Sequence, residues 1–345
     1  MEFTASGRWE VRITPLDVGK RVSVRRLDEA GGVGGTFTDA VGVLTSWDEG
    51  VLVITRRTGE IVRIPESSLV AGKVVPSVPA RRRGLPAASF DELARISARA
   101  WQPVESEPLG EWLLRAASGF TRRANSVLPL GDPGMPLDAA LDRVRAWYGA
   151  RELPAFIQPA TGGEGTQEAL CAELERRGWE REVTTELRVG GLAAVGDLDA
   201  DVSRVRLDRS VDGDWLRRYQ RSSGPGVSGP HVRAVLSSGP SVWFATVPGA
   251  SGEPGGPAAI GRCVVDGRWA GFMAVEVDPA RRRQGLATAV MAALARRALE
   301  EGASAAWLQV ESDNDAARAM YEGMGFATHH HYHHFRDTTG ISEHS

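Results

Sequence analysis

Lysine is almost missing from this 345-residue chain. Of 41 basic residues only Lys20 and Lys73 are lysines, so nearly every cation is a guanidinium. Its planar fork favours bidentate contact with carboxylate and phosphate. With abundant glycine and alanine, this usage fits a GC-rich, actinobacterial genome. Cysteine is equally scarce: Cys171 and Cys263 stand singly and far apart. That excludes a disulfide framework or zinc knuckle and fits a reducing cytoplasm. No run approaches the ~20 apolar residues of a membrane-spanning helix, and MEFTASGRWEV lacks an apolar signal core. A cytoplasmic protein with no membrane partner is expected. A net charge of −3 gives no global drive toward nucleic acid.

What is present divides along the chain. Short runs at Arg21–Leu27, Ala40–Thr45, Val51–Thr55, Glu60–Ile64 and Leu69–Val75 read as strands, with a helical turn at Pro65–Ser68. Five short strands with a Gly-rich first loop predict a small SH3-like barrel over residues 1–76. Arg25, Arg26, Arg56, Arg57 and Arg63 could form a basic face. Interleaved acids favour a solvated or docking surface over nucleic-acid binding. Residues 77–88, rich in Pro and Arg, read as a linker. Helices are expected at Phe90–Ala100, Leu137–Ala150 and Gln167–Arg177. Helical character is also expected at Glu111–Ala117, and strands at Thr121–Leu128 and Val183–Val189. Beyond 196 come a strand at Ser203–Asp208, helices near Asp214–Arg221 and His231–Leu236, and a meander from SVWFATV through a turn at Asp266–Gly267.

The meander feeds VEVDPARRRQGLA, Val275–Ala287. Met273, Val275 and Val277 alternate with Ala274 and Glu276, as a strand does. Pro279 stops the strand. From Leu286 the run LATAVMAALARRALEEG is helical, with Leu286, Val290, Leu294 and Ala298 on one stripe. Arg282, Arg283, Gln284, Gly285, Leu286, Ala287 and Thr288 therefore form a turn opening a helix. Orphan amides and the positive end of the helix dipole bind anions there. An ordinary strand–turn–helix with solvated arginines has the same local pattern.

A second pattern separates these readings. Arg282-x-x-Gly285-x-Ala287 matches the R/Q-x-x-G-x-G/A signature of the GNAT acetyltransferases. One helix and one strand later, Asn314, Ala317, Tyr321, Gly325 and Phe326 match N-x-x-A-x-x-x-Y-x-x-x-G-F. The chain thus resembles the GNAT superfamily, strongly over about Val242–Phe335. The order strand, helix, Arg-Gly-Trp, strand within 89–195 resembles half of such a unit without the anion loop. The layout is a degenerate unit at 89–195 and an intact unit at 196–340. It is similar to mycothiol synthase and to an actinobacterial type with an SH3-like barrel ahead. The fold implied is α/β (α+β), a mixed sheet flanked by helices.

The resemblance implies acetyl-coenzyme A as cosubstrate, its pyrophosphate on the Arg282–Thr288 turn. Its pantetheine would lie between splayed strands at Val275–Val277 and Leu308–Val310, with an N–H near Val275 facing the oxyanion. Asn314 would contact the coenzyme and Tyr321 would protonate the leaving thiolate. Equally, Asn314 serves as a helix cap and Tyr321 as a core aromatic. Glu276 is the best-placed base by sequence, with Glu311 and His231 as alternatives; a paired structural carboxylate explains Glu276 as well. The acceptor is an unidentified amine, and the protein a monomer or homodimer. Two other readings stand: a non-catalytic acetyl-coenzyme A sensor or adaptor, and a histone-like lysine acetyltransferase with a nucleic-acid-binding barrel. THHHYHHF at Thr328–Phe335 is expected to be a terminal strand rather than a metal site. Alternation would put His329, His331 and His333 on one face and His330, Tyr332 and His334 on the other.

Overall fold

A computed structural model describes residues 10–28, 36–76, 84–222, 229–249 and 256–338. The first strands are β1 (Arg21–Asp28), β2 (Thr36–Asp48), β3 (Val51–Arg56), β4 (Ile61–Pro65) and β5 (Leu69–Val74). They form one antiparallel sheet, order β4-β3-β2-β1-β5. It curls around its own core of Ile13, Val22, Val24, Leu44, Leu52, Ile54 and Ile64. The expected basic face is largely engaged: Arg25 pairs with Asp39 and Arg56 with Glu60. Arg57 instead reaches out of this sheet to the carbonyls of Thr328 and His329, and its own carbonyl accepts from Thr161.

Helix α1 (Phe90–Arg99) starts at Ser89, whose hydroxyl accepts the Glu92 N–H. Such a cap stabilises a helix by about 1 kcal/mol. A hairpin follows, β6 (Glu105–Leu109) and β7 (Trp112–Ala116), with β8 (Leu128–Pro129) beside β7. Helical character expected at Glu111–Ala117 is therefore wrong. Seven residues are too few to stabilise an isolated helix, and Trp112 and Leu114 instead pack against α2 (Leu137–Gly149). The strand expected at Thr121–Leu128 is also wrong over most of its length: Arg122–Ala124 is a 3₁₀ turn. Buried Asn125 organises it, accepting from the Ala117 and Gly119 N–H groups and donating to the Phe120 and Thr121 carbonyls. These local bonds replace a ladder.

The remaining elements are β9 (Phe156–Ile157), β10 (Ala160–Thr161), α3 (Glu168–Arg176), β11 (Trp179–Gly191), α4 (Leu192–Gly196), β12 (Arg206–Asp208), α5 (Gly213–Arg218), α6 (Gly229–Leu236) and β13 (Ser241–Val247). They continue with β14 (Ala259–Asp266), β15 (Trp269–Val277), α7 (Leu286–Glu300), β16 (Ala305–Glu311), α8 (Asp315–Gly323) and β17 (Ala327–Asp337). One mixed sheet runs β10-β17-β11-β16-β15-β14-β13-β12. β11, which precedes the loop and helix signatures by about a hundred residues, is inserted between β16 and β17. The sheet is thus completed by a strand from the preceding segment. On one face pack α1, α5 and α6, through Leu93, Trp215 and Val235. On the other pack α4, α7 and α8, through Val195, Leu294 and Tyr321. α7 lies close on β14: a Cβ on Gly261 would meet Val290 Cγ1 at 2.4 Å.

β17 is a native strand in which His330, His331, His333 and His334 are all buried. The expected alternation fails at its start. The β11 register shifts so that Leu187 faces His330 and Arg188 faces Thr328, a bulge that skips His329. His329 and His330 then meet, Nδ1 to Nδ1 at 2.9 Å. Burial lowers the pKa of all four buried rings, to about 4 for His331 and about 3 for His333.

Candidate active site

The mixed sheet opens where β15 and β16 part. They pair in parallel from Trp269↔Ala305 to Phe272↔Leu308 and no further. One cause is visible in β15. Ala274 has φ 52°, and the β14 register jumps between Ile260 and Arg262. A non-glycine residue with positive φ in a strand marks a bulge that bends the chain. Past the bulge β15 stays with β14 alone. Asp278 N–H donates to the Ala258 carbonyl at 2.9 Å. Antiparallel alternation then turns Glu276's backbone groups toward Ile260 and those of Val275 and Val277 into the gap.

At the end of β15, Asp278 caps a 3₁₀ turn, Pro279–Arg281. Its carboxylate accepts the Ala280 N–H at 2.9 Å and pairs with Arg218. The Ala280 bond, then Arg218, hold its pKa below the usual carboxylate range. Arg283 adopts φ 60° and Gly285 φ 75°, and α7 begins immediately after. Space beside Gly285 is open, so its requirement for glycine is conformational. The first helical bond runs from Ala289 N–H to the Gly285 carbonyl. The amides of Leu286, Ala287 and Thr288 therefore lack helical partners and face outward at the positive end of a fifteen-residue helix. Arg282, Arg283 and Gln284 are exposed beside them. This is an open anion cradle built by seven consecutive residues.

Asn314 caps α8, its Oδ1 accepting the Ala317 N–H at 3.2 Å. That uses only the acceptor side of the amide; the residue is exposed. Tyr321 is 9% exposed and its ring meets Phe326 edge-on at 6.1 Å. Burial alone pushes its hydroxyl up to about 12, so it is a protonated donor at neutral pH.

Glu276 lies on the opposite layer. Its carboxylate accepts the Gln220 N–H at 3.0 Å. Burial raises its pKa, opposed by that bond and by Arg221 and Arg218. Glu276 and Tyr321 thus lie on opposite faces of the mixed sheet rather than in one pocket. Glu311, the first alternative, pairs with Arg221 at 3.0 Å, which makes it a less available base. His231 sits in the first turn of α6, and its Nδ1 is buried without a partner among the described residues. Sequence reading missed the segment Tyr219–Arg221, which bridges Glu276 and Glu311 across the mouth. It also missed Arg123, Gln309 and Tyr332 on the same face. No local signal marked them, since each comes from a different element.

Residues 223–228 and 250–255, on either side of α6 and β13, lie outside the described residues. Among the described residues, no cluster of His, Cys, Asp or Glu is arranged to hold a metal ion. Among the described residues, no helix is long and apolar enough to cross a membrane.

A family described as "Probable histone acetyltransferase Rv0428c C-terminal" has a model that matches residues 88–335. The chain is 29% identical over 315 residues, 91% of it and 93% of the relative, to "Probable histone acetyltransferase Rv0428c" of Mycobacterium tuberculosis. Its fold is similar to a GCN5-related N-acetyltransferase from Kribbella flavida (TM-score 0.54, 17% identity, 74% of this chain and 98% of that one). It is similar too to a tandem GNAT protein from the clavulanic acid biosynthesis pathway (TM-score 0.52, 12% identity, 76% and 92%).

Proposed function

Because the chain belongs to the Rv0428c C-terminal family and is a GNAT-type N-acetyltransferase, we propose that it transfers acetyl from acetyl-coenzyme A to a primary amine. Transfer is direct, in a ternary complex. The observation that carries this reading is the outward amide cradle at Leu286–Thr288, placed at the end of the strand that leaves β16. The amides and Arg282 and Arg283 hold the pyrophosphate; Val275 and Val277 hydrogen-bond the pantetheine across the gap. The free amide of Asn314 contacts the coenzyme.

Glu276 takes the proton of the attacking ammonium, directly or through water. The amine nitrogen bonds to the acetyl carbon, and the Val275 N–H faces the oxygen that gains charge. The C–S bond breaks, Tyr321 gives its proton to the sulfur, and the nitrogen sheds its second proton, which returns to the tyrosinate. The products are an N-acetyl amine and free coenzyme A. A raised carboxyl and a protonated tyrosine on opposite faces of the sheet suit these roles.

The division into residues 1–76, 89–195 and 196–340 belongs to the same proposal. The first segment is an SH3-like barrel whose role is docking, and the second a degenerate unit that lends β11. A lysine-acetylating role on a protein is the second reading, favoured by the name of the Mycobacterium tuberculosis relative.

Free-thiol release from acetyl-coenzyme A over an amine panel tests the assignment. Tyr321→Phe is expected to lower turnover by about 10²–10⁴, the span of general acid catalysis, with acetyl-coenzyme A affinity nearly intact. Unchanged turnover removes the acid role. Binding of acetyl-coenzyme A without thiol release for any amine favours a sensor.

A further inference from the structure

The sheet face that carries Glu276 holds more positive charge than its carboxylates balance. Arg262 is fully buried and donates to the carbonyls of Leu236, Ala100 and Ser238 at 2.6, 2.9 and 2.5 Å. Arg115, also buried, donates to the Ser126 carbonyl and hydroxyl and to Gln158 Oε1 at 2.8, 2.9 and 2.7 Å. All these acceptors are neutral. Burial lowers the two guanidinium pKa values to about 9 and about 10, so both remain charged at neutral pH.

Arg123 is the third cation of this face. Its guanidinium lies over the Trp101 ring at 5.3 Å, and Arg262 lies over the same ring at 5.2 Å. A single long contact, 3.5 Å, joins Arg123 Nη2 to the Tyr332 hydroxyl. Its Nε is buried with no partner among the described residues. A buried N–H left unbonded is costly, about 1–3 kcal/mol, and a guanidinium offers donors in a fork that fits a carboxylate or phosphate. The Tyr332 hydroxyl continues to Gln309 Oε1 at 3.4 Å. Gln309 lies on the separated end of β16, two residues before Glu311 and on the same side. Arg123 is therefore linked, through one tyrosine, to the mouth where Glu276 stands. At that mouth Arg221 is matched by Glu311. Glu276 has no ion pair among the described residues.

We propose that the acceptor is a primary amine that also carries an anionic group, a carboxylate or a phosphate. The ammonium end is received at Glu276 and the anion at Arg123. The proposal rests on the acetyl-transfer reading and names the substrate class of that site. A lysine-rich protein tail is the wrong charge for it, because its flanking cations would meet the Arg123 guanidinium, which has no carboxylate partner among the described residues.

Four probes separate the cases: β-alanine, O-phosphoethanolamine, n-propylamine and a lysine-rich peptide. With full-length protein and acetyl-coenzyme A, at least one anionic amine is expected to exceed n-propylamine about tenfold or more in kcat/KM. Whichever anionic amine leads identifies carboxylate or phosphate. Arg123→Met is expected to collapse that ratio to within about threefold, and Arg123→Lys to restore part of it. A purely structural role would lower all acceptors together and leave the ratio unmoved. Preference for n-propylamine or the peptide overturns the proposal, as does a ratio insensitive to Arg123→Met. Calorimetry of the two anionic amines on the coenzyme A complex keeps the two readings apart. Arg123-dependent binding without transfer sustains the anion site and sinks the transfer reading. Transfer to other amines with no such binding does the reverse.

Discussion

Acid should unfold this protein well above the pH at which its carboxylates titrate. The cause is β17, which buries four imidazoles, those of His330, His331, His333 and His334. Their surroundings favour the neutral ring. His333 sits between the Thr161 and Thr184 hydroxyls, 2.9 Å from each. Burial is the first cause of every shift, and nearby arginines add to it. In the unfolded chain these rings return to a pKa near ~6.5. Below that pH the unfolded state binds protons that the folded state refuses. Stability therefore rises with pH through this window and is lost as pH falls. At pH about 5.5 each ring that stays neutral withdraws about 1.4 kcal/mol, and four together about 6 kcal/mol. Domain stabilities are about 5–15 kcal/mol, so the midpoint of acid unfolding is expected between about pH 5 and 6. Glu168 and Glu276, raised by burial, act in the opposite sense. The assay is urea unfolding followed by circular dichroism at pH 8, 6.5 and 5.5. A free energy of unfolding constant within about 1 kcal/mol across that range refutes the reasoning. His333→Gln should be less stable at pH 8, yet shallower in its pH dependence by about one proton.

Three further outcomes follow from the geometry. Gly285→Val places a β-branched residue at φ 75°. It should cost about 1–2 kcal/mol locally and weaken acetyl-coenzyme A binding by about tenfold; unchanged binding by calorimetry removes the cradle from the site. Glu276→Gln should abolish the acid limb of kcat/KM, which lies above the ordinary carboxylate range because burial raises this pKa. Activity rises with pH as the carboxyl deprotonates, so a wild-type limb that survives in the variant assigns the base elsewhere. Arg57→Ala removes two bonds to β17 carbonyls. At about 1.5–3 kcal/mol for a charged donor, the barrel should become sensitive to limited proteolysis before the mixed sheet does.

The comparison of sequence with structure is uneven for physical reasons. The turn at Arg282–Thr288 and the Asn314–Tyr321 helix were legible because each depends on a few consecutive residues. Positive φ at Gly285, a proline stop at Pro279 and an asparagine cap at Asn314 are short-range effects. Short segments at Glu111–Ala117 and Thr121–Leu128 were misread for the converse reason. Their state is set by Leu114 packing on α2 and by the four bonds of Asn125, not by local preference. The alternation of β17 fails at its start, where the bulge against β11 skips His329.

By itself, then, the sequence determined the barrel strands, the loop at Arg282–Thr288, the helix carrying Tyr321 and the superfamily they mark. Only the tertiary structure decided what surrounds them. It set β11 between β16 and β17, parted β15 from β16 at Ala274, and placed Glu276 and Tyr321 on opposite faces of the sheet. It also gathered Arg115, Arg123 and Arg262 from separate elements onto one face. Backbone conformation is fixed by neighbours in sequence, whereas charge balance and burial depend on residues that meet only when the chain has folded.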